Sequence, residues 1–409
     1  MAATVTEARV LAAEGGIGTA VGWRTWVPCV GMALCSCLSF VDRQVLAVLS
    51  PTILRDTAMS AQDYGNVIFF FFLAYTLGNP LWGSVIDYVG LRVGMLIAVA
   101  VWSAASTSHA LLSGVLGFAT ARAVLGLGEG ATFPGGLRTA IESLPPHLRA
   151  RGIATSFSGG TFGAIITPLV VVPIALRFGW RTAFALTGLL GVLWLALWAA
   201  IARPPLLPAV EHKPASVAWP NPFERRFWAL VFSYAPPAIS SGPILTIIPL
   251  YLSRGLGVSQ AQLGRIFWIP PLAWAIGYFF WGWAADRFAS DNPRPVGLFL
   301  LLTLLALPLG VTTWTRSLPL VMMSISLSIF IAGGFQMVAL KVGSYAYPRT
   351  QAAMMTGIAS GSWSLTNALL SPVLGRLFDQ RRYGEALWAV ALCPVVGVAV
   401  WLVLSRRRR

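Results

Sequence analysis

Charge is what this sequence has least of. Only 11% of its 409 residues are Asp, Glu, Lys or Arg, against about 25% in a soluble globular protein. With 56% hydrophobic residues and a mean hydropathy of +0.73, the chain lacks the polar surface a soluble fold would need to cover its apolar side chains, which excludes an ordinary water-soluble domain. Acidic residues are scarcer still, 14 against 29 Lys and Arg, for a net charge of +15. The basic residues do not gather on one helix or patch, so no nucleic-acid partner is expected; they fall between apolar runs, as membrane loops would place them. Histidines number three, His109, His147 and His212, all assigned to loops. With no nucleophile, metal-ligand or His-rich cluster, an enzyme is not expected. Cys29, Cys35, Cys37 and Cys393 lie inside apolar runs and show neither a disulfide framework nor metal spacing. The first twenty-odd residues hold Glu7, Arg9 and Glu14 without a continuous apolar core, so they do not read as a cleavable secretory signal.

What the chain has in abundance is long apolar runs. Crossing about 30 Å of hydrocarbon at 1.5 Å per residue takes roughly 20 residues, and twelve stretches qualify: 26–49, 64–86, 93–108, 114–137, 152–176, 182–202, 227–253, 266–285, 295–314, 317–340, 351–375 and 386–405. The long polar interruption, 203–226, carries six prolines with Glu211, Lys213, Glu224 and Arg225, the composition of a linker. An all-α membrane protein is expected, with an N-terminal tail over 1–25, a six-helix bundle over 26–202, a linker over 203–226, a second six-helix bundle over 227–405 and a basic tail over 406–409. Counting bases by loop places 18 on the face that carries both termini and 9 on the other, with two inside helices. This bias predicts both termini in the cytoplasm.

The halves carry a weak repeat. After the second run the chain reads Gly83, Ser84, Val85, Ile86, Asp87, ending at Gly90, Leu91, Arg92; after the eighth it reads Gly282, Trp283, Ala284, Ala285, Asp286, Arg287. A Gly, three apolar or small residues and an Asp recur at the same place, as in two parallel halves. This loop resembles the signature between helices two and three of the major facilitator superfamily. The resemblance implies that fold, with the Gly allowing close helix packing and Asp87, Arg92, Asp286 and Arg287 acting as gating residues. Tyr88 stands where the family usually has Arg, so Arg92 or an arginine of a neighbouring helix is left as the partner of Asp87. Asp87 as a simple helix cap is the alternative.

Among the fourteen acids only Asp42 and Glu129 fall well inside apolar runs, and Arg43 and Arg122 are the comparable bases. Each would cost about 2.5 to 3.5 kcal/mol at a helix centre, so they must face a cavity or one another. Arg122 and Glu129, seven residues apart, project from one face roughly 10 Å apart along the axis. Burial favours a neutral carboxyl and a nearby cation favours the carboxylate, so such an acid can change state as access to water changes. Two readings follow. The four charges form either a proton-coupled anion site or a static ion-pair staple between helices one and four.

The surrounding residues carry a closer resemblance. Asp42, Arg43, Gln44, Val45 and Leu46 before Ser50, Pro51 and Thr52, then Asp63, Tyr64 and Gly65, are similar to the opening of hexuronate and galactonate transporters of the anion:cation symporter family. The run from Gly117 and Phe118 through Arg122, Leu125, Gly126, Leu127, Gly128 and Glu129 to Phe133 and Pro134 resembles the same group. In the second half the likeness rests mainly on Ile269, Pro270 and the stretch from Gly282 to Arg287. The resemblance implies that Asp42 and Glu129 carry the proton, that Arg43 and Arg122 bind and gate an anion, that Tyr75 is a cavity tyrosine, and that Asn367 contacts a substrate hydroxyl. Packing alone is the alternative for Asn367. Because the second half has no acid within a helix, it is expected to offer polar and aromatic contacts, with Ser240, Ser241, Gln336 and Asn367 as candidates. Trp268, Trp274, Trp281 and Trp283 are assigned to a membrane-interface belt or a lipid-facing surface rather than to sugar stacking. Two departures bear on the substrate. Ser156 to Gly163 lack the amide side chain common in sugar-acid transporters, and the region Ser233 to Pro243 is unusually rich in proline.

The expected activity is proton-coupled import of a small organic anion, a sugar acid first, by a monomer in the bacterial inner membrane, surrounded by lipid and using no cofactor or metal. Another mono- or dicarboxylate, or export of organic anions, stays open.

Overall fold

A computed structural model describes residues 22–207, 220–289, 292, 294–347 and 349–406. The expected N-terminal tail up to residue 21, most of the linker with Glu211, His212 and Lys213, and Arg407 to Arg409 of the basic tail lie outside the described residues.

The described chain is almost wholly helical and forms twelve membrane-crossing rods. In the first bundle they are α1 (Val27–Asp56), α2 (Ala61–Val89), α3 (Leu91–Ser108), α4 (Val115–Glu129 continued by Thr132–Ser143), α5 (Arg149–Phe178) and α6 (Trp180–Ile201). In the second they are α7 (Arg225–Tyr234, Ser241–Thr246 and Ile248–Leu256), α8 (Gln260–Ile266 and Ile269–Phe288), α9 (Val296–Ala306 continued by the 3₁₀ turn Leu307–Trp314), α10 (Leu318–Ala346), α11 (Arg349–Asp379) and α12 (Tyr383–Leu404). Eight helical stretches among the described residues are long and apolar enough to span a membrane by themselves. The rods outside that set are α4, α7, α8 and α11. Of these, α4, α7 and α8 are interrupted, and all four reach the cavity described below.

The interruptions follow from composition. In α7 the helix stops at Tyr234 ahead of Pro236 and Pro237, which lack the N–H that would continue the ladder. The result is a run of turns through Ser240 before Ser241–Thr246. In α8 the break at Phe267 and Trp268 precedes Pro270 and Pro271. Unwound backbone at membrane depth is tolerated where it is buried in protein or lines a cavity.

Each bundle has its own aromatic core, with Trp102, Phe118, Phe184 and Trp198 in the first and Phe299, Phe335 and Trp401 in the second. The outward faces are apolar, with Leu116, Leu193, Phe279 and Leu304 exposed, as lipid contact requires. The glycine-rich stretch of α5 serves packing: a Cβ at Gly159 or Gly163 would run into the main-chain carbonyls of Ala33 and Cys37 on α1. Only glycine lets these two helices approach so closely, and Ser36 donates to the Ser156 carbonyl at 2.8 Å in the same seam.

Between the bundles, α2 packs on α11, α5 on α8 and α1 on α7. Hydrogen bonds joining them among the described residues gather toward the face away from the chain termini. There Asp379, the last residue of α11, accepts the free N–H groups of Ala61 (2.7 Å) and Gln62 (2.8 Å) at the start of α2. Arg254 donates to the same carboxylate at 3.4 Å. Gln260 accepts from Thr52 (2.9 Å) and donates to the Val48 carbonyl (2.7 Å), and the Tyr64 hydroxyl donates to the Thr246 carbonyl at 2.7 Å. This end of the inter-bundle seam is closed.

Candidate substrate and coupling site

A cavity of about 160 Å³ lies between the bundles at mid-membrane. Its first-bundle wall is written in helical spacing. Phe40, Arg43 and Gln44 of α1 and Ile68, Phe71, Phe72 and Tyr75 of α2 recur at three- and four-residue steps, which puts each set on one helix face. Arg122 of α4 joins them. The opposite wall is neutral, built from Tyr234 and Thr246 of α7, Trp274 and Tyr278 of α8, Gln336 of α10 and Trp363 of α11.

The two acids sit behind the two arginines rather than in the cavity. Asp42 and Glu129 are 1% and 0% exposed and do not line it. Glu129 Oε2 accepts from Arg43 Nε at 2.5 Å and from the Ser39 hydroxyl at 2.9 Å. Asp42 Oδ1 accepts from the Ser106 hydroxyl of α3 at 2.7 Å. The second oxygen of each, Asp42 Oδ2 and Glu129 Oε1, is buried with no hydrogen-bond partner among the described residues. Such atoms stand where a proton could be carried, because a neutral carboxyl needs fewer partners than a carboxylate.

The arginines differ. Arg43 is held on several sides: its guanidinium carbon lies 4.5 Å from the Tyr75 ring centroid, 4.9 Å from Phe40 and 5.3 Å from Phe71, in addition to the Glu129 ion pair. These cation–π contacts and the bond to Glu129 fix it firmly. Arg122, only 1% exposed, forms no ion pair among the described residues. It donates from Nη2 to the main-chain carbonyl of Asp42 at 3.3 Å, lies 6.0 Å from the Phe71 ring, and keeps Nε buried and unpartnered. A buried cation without a carboxylate is costly unless an anion comes to it.

The structure thus brings Asp42, Arg43, Tyr75, Arg122, Glu129 and Gln336 to one place. Of the four charges two form an ion pair, Arg43 with Glu129, while Asp42 accepts a hydrogen bond from Ser106 through Oδ1 alone. Three predicted contacts are not at the cavity. Asn367 is buried and donates to the Trp363 carbonyl one turn back at 2.9 Å, against Gly242. The Ser240 hydroxyl donates to the Ser328 carbonyl at 3.3 Å and that of Ser241 to the Ala238 carbonyl at 2.9 Å. All three spend their polarity on main-chain carbonyls, of α11, α10 and the break in α7.

Of the two partners left open for Asp87, the arginine of a neighbouring helix is the one found. Asp87 pairs with Arg138 of α4 at 3.1 Å, while Arg92 donates to the Ala199 carbonyl of α6 at 3.1 Å. Asp286 pairs with Lys341 of α10 at 3.0 Å, and Arg287 lies over Phe288, 5.8 Å from its centroid. His109 is not in a solvated loop. It is buried at the end of α3, stacked 4.9 Å from Phe184, with Nδ1 2.7 Å from the Ala105 carbonyl. The α8 tryptophans divide: Trp274 lines the cavity and hydrogen-bonds Gln336 at 3.2 Å, Trp281 is packed in the second bundle and Trp283 is exposed. Phe40, Phe71 and Phe72 were not singled out by sequence, and Gln44 only within the motif after Arg43, although their spacing from Arg43 and Tyr75 marks them as sharing a face.

Known proteins share this architecture. A family model described as Major Facilitator Superfamily matches residues 32–370 and 230–409. The chain is 25% identical to a D-galactonate transporter of Escherichia coli O6:H1 over 94% of its own length and 96% of the relative's. It is 23% identical to a hexuronate transporter of Escherichia coli K12, covering 93% and 94%. In three dimensions it is similar, with a TM-score of 0.78 and 18% identity over 95% of this chain and 98% of the other, to a bacterial homologue of the human lysosomal transporter Spinster. The twelve rods, the mid-membrane cavity and these matches lead to one conclusion: the chain belongs to the Major Facilitator Superfamily.

Proposed function

We propose that the protein is a proton-coupled symporter that imports a small organic anion, a hexuronate or aldonate first among them, across the bacterial inner membrane with both termini in the cytoplasm. The observation that carries this reading is the layered site, with arginines on the cavity wall and carboxyls directly behind them. Arg122, lacking a carboxylate partner, receives the substrate's negative charge. Protonation of Glu129 would release Arg43 as a second anion ligand, and Asp42 offers a second carboxyl behind Arg122. The bundles then rock about the mid-membrane site, the motion expected of this architecture, and proton and anion leave together on the other side. The curated relatives named for galactonate and hexuronate support the substrate class.

Gating by Asp87, Arg92, Asp286 and Arg287 forms part of this proposal: Asp87–Arg138 and Asp286–Lys341 lie at equivalent places in the two bundles, where they would stiffen the ends that move apart and together.

The decisive test is uptake into proteoliposomes. Glu129→Gln is expected to abolish accumulation driven by a pH gradient while sparing counterflow exchange; full gradient-driven accumulation by this variant would refute its role. A second reading, a less hydroxylated mono- or dicarboxylate, is favoured by the aromatic walls of the cavity. Competition by hexuronates, aldonates and short carboxylates, each against its amide, separates the classes.

A further inference from the structure

The second bundle carries another basic site, far from the transport cavity, on the face that bears the chain termini. A groove of about 950 Å³ runs between the first turn of α7, the last turns of α10 and α12, and the residues just before α9. Its rim holds Arg225, Arg226, Arg294 and Arg406. The acid beside it is Glu224, which is ion-paired with Arg226, so four guanidiniums against one carboxylate leave three positive charges among the described residues.

Three of these arginines already have a structural task, Arg226 by donating to the Ala346 carbonyl at the end of α10 at 3.3 Å and two at the end of α12. Arg225 donates to the Val403 carbonyl at 2.8 Å; Arg294 donates to the Leu402 carbonyl and the Ser405 hydroxyl, both at 2.9 Å. They cover the open carbonyl end of α12, which a helix C-terminus favours. Capping alone leaves three features unexplained. A guanidinium has five N–H donors, so these bonds use a minority of them. Arg406 is exposed and adds its charge beyond the end of the helix. The groove also has an apolar floor of Leu230, Val342, Trp401 and Leu404, which a site for a soluble ion would not need. Arg294 lies over that floor, 5.9 Å from the Trp401 ring.

A basic rim over an apolar trough at the end of membrane-spanning helices matches one class of molecule: a phospholipid whose headgroup is anionic and whose acyl chains lie along the helices. We propose that this groove binds such a lipid, preferring one with two phosphodiesters because the rim offers three unbalanced charges. Basic pockets of this type, at the level of the headgroups, are a recognised mode of lipid recognition.

The test uses the full-length protein in a neutral detergent, with thermal stability and lipid retention by native mass spectrometry as readouts. Diphosphatidylglycerol is expected to raise the melting temperature and to bind roughly tenfold more tightly than phosphatidylcholine. Arg225→Gln with Arg406→Gln should reduce that preference to about twofold. A charge-matched control, Arg151→Gln with Arg203→Gln, removes two exposed arginines elsewhere on the same face and should keep the tenfold preference. Equal binding of the two lipids, or an equal loss in the control, would overturn the site. Displacement by millimolar inorganic phosphate or glycerol phosphate would overturn the lipid as its occupant.

Discussion

The two bundles share a fold and divide the chemistry. Among the described residues the charges at and behind the cavity belong to the first bundle, in Asp42, Arg43, Arg122 and Glu129. The second contributes Tyr234, Thr246, Trp274, Tyr278, Gln336 and Trp363, all neutral. A bundle that must change its protonation state needs compensating charges close by. A bundle that only recognises the body of a substrate is better served by rings and amides, which cost little to desolvate. On the proposed reading energetic coupling and substrate shape are separable, and substitutions on the two sides should fail differently.

The largest effect is expected from Arg122→Lys, which keeps the charge but not the planar fork. Loss of charge-assisted bonds worth about 3 kcal/mol corresponds to a fall of about 100-fold in both driven uptake and counterflow; a variant that keeps wild-type counterflow would break the division at its centre. On the neutral wall, Gln336→Ala should raise the KM about tenfold, equivalent to about 1.4 kcal/mol, and leave the ratio of protons to substrate unchanged. A changed ratio, read from reversal potentials, would show that the second bundle takes part in coupling. Ser106→Ala removes the hydroxyl that donates to Asp42 Oδ1, at a cost of about 1 kcal/mol, and should lower gradient-driven uptake about fivefold with little change in counterflow KM. The smallest effect is expected at the outer seam. Asp379→Asn replaces the acceptor of two N–H groups and should raise alkylation of a cysteine placed at Thr246 by about twofold to threefold, with substrate affinity within twofold; an unchanged alkylation rate would remove Asp379 from the closure.

Much of this division was legible in the chain. Twelve apolar runs appear as twelve rods, and the charges at 42, 43, 122 and 129 meet as their cost in a membrane requires. What could not be read was direction on broken helices. The register that places Phe40 beside Arg43 is uninterrupted on α1, whereas Pro236 and Pro237 reset α7, so the hydroxyls of Ser240 and Ser241 turn to carbonyls instead of the cavity. Asn367 reads as a polar side chain at the right depth, but its amide is taken by Trp363 one turn earlier. The partner of Asp87 lay 51 residues away in Arg138, a distance over which helical periodicity carries no information.

The clasp at the outer face has one more consequence. Asp379 grips α2 by the main-chain N–H groups of Ala61 and Gln62, which every residue but proline possesses. Position 62, half-buried, is therefore free to drift while the seam stays shut, position 61 is held small only by its burial, and the hydrogen-bonding requirement falls on a single carboxylate. Relatives with widely different residues at the mouth of the second helix can share this closure as long as an acid ends the eleventh.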